Sequence, residues 1–273
     1  MDDSLQLTQY LYNKYDVEIM IMITLIQKKN FNEVLFWTSE YFHSGYVNEL
    51  WTLITNIYFH AYALQNPYFY KYLLKKRETF QKTKSKQLLL DVIKNMFYLK
   101  SSHHLIEFSL CFQSHADDLH TYKGRKPKWL SDFDKSYKNL VYSMYKNNSS
   151  NVVQYFNDVK DYSTLYTQLL LYMKTHCTSR ECVFKPYIRI FEKYSHQQDM
   201  KHITMLLLYL ITIVEPVIVP NTKQTYIKAT DEEMKTFADF HAIQTTDYDY
   251  KFLEKVCKYP VNPLVHVFNH TRT

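Results

Sequence analysis

The side chains best suited to chemistry crowd one short stretch: His103, His104, Cys111, His115, Asp117, Asp118 and His120. Imidazole, thiolate and carboxylate together make a ligand set for zinc. The pairs that a helix would bring to one face are His104 with Cys111 and His115 with Asp118. Neither repeats a structural-zinc spacing, so helix-end and surface histidines are the simpler reading and no metal is assigned. A second candidate is His176-Cys177 with Cys182, a C-x4-C pair around Ser179-Arg180, where nearby positive charge could generate a reactive thiolate. A loop with one buried cysteine is the commoner origin of such a pair. Asp231, Glu232 and Glu233 offer adjacent carboxylates, but Thr230 precedes them. A threonine N-cap followed by acids at the positive end of a helix dipole explains that run without acid-base catalysis. The sequence is therefore read as non-enzymatic, with no catalytic residue and no cofactor.

Charge suggests binding more than catalysis. The 273-residue chain carries a formal net charge of +6, modest for its length but favourable to anionic partners. Between Lys71 and Lys86 lie Lys75, Lys76, Arg77, Lys82 and Lys84, with Glu78 the single acid. Lys123, Arg125, Lys126 and Lys128 form a second cluster in the loop YKGRKPKW, ending at Trp129. Brought to one face, the two clusters would grip phosphates and release counterions, with Trp129 stacking on an exposed base. Solvated helix ends and a lysine-rich loop are the plainer reading. Trp37, Trp51 and Trp129 are the candidate anchors for a protein partner; if buried, they are core.

These groups must be held by helices. Gly45 and Gly124 are the only glycines. Tight hairpins, dinucleotide-binding turns and phosphate loops all need glycine at positive φ, so such folds are excluded and an all-α chain is expected. The run from Asn30 to Arg77 shows the pattern. Leu35, Phe36, Ser39, Phe42 and Tyr46 recur at helical steps, with Glu33, Glu40 and His43 off that face. Ser44-Gly45 ends the helix. Leu50, Leu53, Ile54, Ile57, Tyr58 and Ala61 line a second helix, and Asn66-Pro67 opens a third as N-cap and first-turn proline.

Further helices are expected over Gln6 to Lys28 in two pieces, Lys86 to Leu99, Ser102 to Phe112, Asp132 to Tyr145, Asn151 to Val159, Tyr162 to Lys174, Lys185 to Tyr194 and Gln198 to Val214. Past Pro216 the chain turns extended, with short helices at Asp231 to Ala242 and Tyr248 to Cys257. The architecture is an irregular, solenoid-like array of antiparallel helical hairpins over residues 1–215, with a possible sub-boundary in 113–130. An extended, proline-containing tail, 216–273, packs over that body. Ile203 to Val214 is too short to span a bilayer and reads as a buried helix, so no membrane insertion is expected. Four scattered cysteines and an acidic, polar N-terminus point to a reducing compartment.

Glu40 to Tyr46, Glu49 to Trp51, Asn66 to Lys75, Tyr122 to Leu130 and Tyr259-Pro260-Val261 together resemble an uncharacterised protein family of giant nucleocytoplasmic DNA viruses. The resemblance spans most of the chain in order. It implies a viral protein of the host cytoplasm (the viral factory) or of the virion, without assigned activity and with no site residues to transfer. Two functions compete: a non-catalytic interaction or scaffold protein that holds a protein partner between helices, and a nucleic-acid-binding accessory factor of viral replication or transcription.

Overall fold

The computed structural model describes residues 6–108, 126–146, 148–178, 181–194, 199–212, 220 and 225–239. Among them the fold is all-α, without a sheet; the one β-bridge pairs Leu7 with Asn13. The chain forms two compact units, Met1–His103 with Asn221–Thr273, and His104–Pro220. The expected helix at 248–257, Gly124 and most of the histidine-rich stretch lie outside the described residues.

In the first unit α1 (Lys14–Gln27) starts later than the periodicity suggests. Asn13 caps it, accepting from the Tyr15 amide at 2.9 Å. Residues 6–13 form a hook in place of the first expected helical piece, with Leu11 at φ 64 and the Tyr10 amide donating to Glu40 Oε1 at 2.8 Å. The interior of α1 is apolar almost all round, and Val17, Ile21 and Leu25 are fully buried against α2 (Phe31–His43). Helix α2 is buried beyond its apolar stripe: Glu33, off that face, is 8 % exposed and Glu40 0 %. Gly45, at φ 90, closes α2 as expected.

The inward face of α3 (Val47–Ile57) is the one expected from its apolar spacing, and the helix runs into a π turn, Tyr58–Tyr62. The turn is wholly buried, and the Tyr62 hydroxyl donates to the Leu25 carbonyl at 2.7 Å. Asn66 is not the N-cap of α4 (Phe69–Thr83): Tyr68 holds that position. The Asn66 amide instead donates to the carbonyls of Tyr62 and Lys100, at 3.1 and 2.7 Å. The bond to Lys100 needs a partner distant in sequence, which local spacing cannot reveal.

After α4, α5 (Lys86–Tyr98) packs back on it. A segment returning from the far end of the chain then crosses α5. Residues 225–230 are extended there, and α11 (Asp231–Ala238) follows, opened by a Thr230–Glu233 capping box. Thr230 thus caps as expected. Phe237, 0 % exposed, seats α11 against Phe42.

The second unit holds a 3₁₀ turn at Lys128–Asp132, followed by α6 (Lys138–Tyr145), α7 (Ser149–Asn157), α8 (Tyr162–His176), α9 (Glu181–Tyr194) and α10 (Met200–Thr212). Its centre is α10, buried continuously from His202 to Ile211 as its apolar run predicts. No helix among the described residues is long and apolar enough to cross a membrane. Helix α8 packs chiefly on α10, passing over its sequence neighbour α9, so the array is irregular. Pro186 lies inside α9, where its missing amide removes one helical hydrogen bond.

Candidate functional site

A concavity lies in the second unit between α8 and α9. The N-cap Asp161 sets the start of α8, accepting from the Ser163 and Thr164 amides at 3.0 and 3.1 Å and from the Thr164 hydroxyl at 2.5 Å. These donors, the Thr164 hydroxyl first, hold its carboxyl below the usual carboxylate range. Leu165, Leu169 and Tyr172 form the buried face of α8. Leu170, Met173, Lys174 and Cys177, three and four residues apart, form a second stripe that lines a groove. Opposite them, α9 buries Phe184, Tyr187 and Phe191 and turns Glu181, Lys185, Ile188, Arg189 and Glu192 to the same groove.

The groove has a volume of about 660 Å³. Along α9 it extends from Glu181 to Lys193, about 18 Å at 1.5 Å per residue. Its floor is apolar: Leu170, Met173, Phe184 and Ile188. Its rim is charged, with Lys174, Lys185, Arg189 and Lys193 against Glu181 and Glu192, a net positive edge. One turn before Leu170, the Tyr166 hydroxyl is buried without a hydrogen-bond partner among the described residues. Burial, with the Glu192 charge second, pushes it well above the usual phenol range. Such a site can take apolar groups in its floor and anionic groups at its edge.

The sequence-marked residues are placed differently. Trp37 and Trp51, 1 % and 2 % exposed, are core and cannot anchor a partner; Trp51 packs on Phe80 at 5.3 Å. Trp129 is half-buried and pins the 3₁₀ turn to its unit, with its ring 4.2 Å from His176 and 5.2 Å from Tyr145. The first basic cluster is partly consumed within its own unit. Lys76 pairs with Asp91 at 2.5 Å, Lys86 lies 5.4 Å from the Phe42 ring and Lys84 5.9 Å from that of Phe80.

Lys75 and Lys82 are exposed and Arg77 half-buried. On α4, Lys71, Lys75, Glu78 and Lys82 share one stripe by spacing, so an acid interrupts the row. Of the second cluster, Lys126 and Lys128 are exposed, and Lys126 donates to Asn139 Oδ1 at 3.2 Å. Lys123 and Arg125 lie outside the described residues. The two clusters belong to different units.

Among the titratable chemistry candidates, His104 is exposed beside Glu107 at 3.9 Å. No three His, Cys, Asp or Glu side chains converge to hold a metal among the described residues. Cys111, His115, Asp117, Asp118 and His120 lie outside them, as do Ser179 and Arg180. Cys177 is half-buried on the groove wall.

Sequence reasoning missed the groove cations Lys174, Lys185, Arg189 and Lys193. The available signal was Leu170 and Ile188, each apolar but just off the core face of its helix, which widens the apolar stripe beyond what one neighbour needs. Comparison with known protein families, with curated proteins and with solved structures finds no match.

Proposed function

We propose that the protein is a non-catalytic interaction module that holds the acidic amphipathic helix of a partner protein in the groove between α8 and α9. The observation that carries this reading is the groove itself, with an apolar floor of Leu170, Met173, Phe184 and Ile188 under a rim of Lys174, Lys185, Arg189 and Lys193. Its volume of about 660 Å³ accommodates several aliphatic side chains, which an amphipathic helix presents at i, i+3 or i+4, and i+7. Its length of about 18 Å matches roughly three helical turns. Acidic residues flanking that apolar stripe would meet the cationic rim, favouring encounter and orientation. In the setting implied by the viral resemblance, the partner would be a protein of the viral factory or virion.

The test uses a labelled 16-residue amphipathic peptide with leucines on one face and glutamates on its flanks, and a second peptide with lysines in place of the glutamates. Fluorescence anisotropy should show that the acidic peptide binds and the basic one does not. Arg189→Glu with Lys193→Glu should weaken binding about tenfold or more, and Ile188→Asp should abolish it. A chain that ignores both peptides but binds random duplex DNA, with affinity falling steeply with salt, would replace this reading with the nucleic-acid one.

A further inference from the structure

The segment that crosses α5 is held in an unusual way for a structural element. Asn95 reads both backbone groups of Ile227: its Oδ1 accepts from the Ile227 amide at 2.9 Å and its Nδ2 donates to the Ile227 carbonyl at 2.7 Å. One turn earlier on α5, Asp91 Oδ1 accepts from the Ala229 amide at 2.9 Å, and one turn earlier again Gln87 Nε2 donates to the Ala229 carbonyl at 3.0 Å. Side chains at i, i+4 and i+8 on one helix face thus meet alternate residues of an extended chain, as the edge of a sheet would. Lys94, on the same side, pairs with Glu233 at 2.8 Å.

Little apolar area fixes this stretch. Tyr226 and Ile227 are 41 % and 45 % exposed, and Ala229 alone is buried between residues 225 and 230. Tyr226 lies flat on Tyr72, with ring centroids 3.9 Å apart. Tyr226 also meets Phe69, but under Ile227 and Ala229 the surface is polar: Gln87, Asp91, Lys94 and Asn95 are groups that water satisfies once uncovered. Lifting the segment therefore exchanges hydrogen bonds for hydration, whereas lifting a strand from an apolar face would expose hydrocarbon. A stretch held this way belongs to the low end of local opening free energies.

We infer that the Gln87–Asp91–Asn95 face of α5 is a receptor for an extended peptide and that residues 225–230 are its intramolecular occupant, a releasable clasp. The ligand it fits is a segment of a partner protein with an aromatic residue to stack on Tyr72, a small residue three positions later, and a carboxylate four beyond that for Lys94. This is the pattern that Tyr226, Ala229 and Glu233 supply in cis. Backbone pairing makes the other positions permissive. The surface lies in the first unit and stands independently of the groove between α8 and α9.

The test uses the full chain and a labelled peptide, TYIKATDEEMKTFAD, copying residues 225–239. Ile227→Pro removes the amide that Asn95 accepts from while keeping an extended φ, so it loosens the clasp selectively. The peptide should bind the Ile227→Pro chain at least tenfold more tightly than wild type, and adding Asn95→Ala should remove that gain. Native-state hydrogen exchange on the unmodified chain is the second measurement and needs no variant. There the Ala229 amide should exchange at least a hundredfold faster than the amides of Leu90 and Val92 on the buried side of α5. Equal protection at these amides, or an Ile227→Pro chain that folds and binds no peptide, would overturn the inference. A wild-type dimer that the peptide dissolves would assign the face to self-association instead of a partner.

Discussion

Asp91→Ala is the sharpest test of how the first unit is held. Asp91 is 2 % exposed and accepts three hydrogen bonds, from Lys76 at 2.5 Å, Gln87 at 2.8 Å and the Ala229 amide at 2.9 Å. Truncation leaves the buried Ala229 amide without its acceptor, which costs about 1–3 kcal/mol. Lys76 also loses its partner, but its side chain is 20 % exposed and can turn to water. That part is therefore about 1 kcal/mol rather than the 3–5 kcal/mol of a sealed ion pair. The expected total is about 2–4 kcal/mol. Asp91→Asn retains an acceptor for Ala229 and should lose roughly half as much.

Urea unfolding followed by tryptophan fluorescence reads this directly in a Trp129→Phe background, where emission comes only from Trp37 and Trp51 of the first unit. With a slope of about 2 kcal/mol per molar, Asp91→Ala should lower the midpoint by about 1–2 M. A shift below about 0.3 M, or equal shifts for the Ala and Asn variants, would refute the assignment of Asp91 as the acceptor that joins α5 to the returning segment.

Other outcomes follow from single contacts. Burial holds the Lys28 ammonium near a pKa of about 8, against an ordinary 10.5. The unfolded chain thus binds that proton more tightly, and stability should rise from about pH 8 toward pH 10; urea midpoints across this range should rise less in Lys28→Met. Trp51→Ala empties a fully packed site and should cost about 3–5 kcal/mol by urea unfolding, more than Trp129→Ala at its half-buried position. Gly45→Ala should cost about 1–2 kcal/mol by the same measurement, purely from φ 90, because no heavy atom lies within 4 Å of the added methyl; Gly45→Asn should recover part of it.

Helix existence was legible in the sequence wherever a local signal was sufficient. The inward stripe of α3 follows from 3.6-residue periodicity, the stop at Gly45 from the positive φ that glycine tolerates, and the Thr230 N-cap from the reach of a threonine oxygen to an amide three residues on. Each is settled within one or two turns of chain. The all-α class follows in the same way, since a chain whose only glycines are Gly45 and Gly124 cannot supply the turns that tight hairpins require.

Tertiary structure decided the rest, because burial belongs to neighbours and not to residue type. Glu40 and Trp37 are three positions apart on α2 and both hidden, one an acid off the apolar stripe and the other a ring proposed as a surface anchor. The row of cations on α4 reads as a phosphate grip until Asp91 engages Lys76 from α5. The local capping role expected of Asn66 gives way to a bond with the distant Lys100 carbonyl. The groove between α8 and α9, and the pairing of Asn95 with Ile227, depend on segments meeting across many residues. Those contacts are paid for by the whole fold, and no window of sequence short enough to show periodicity contains both partners.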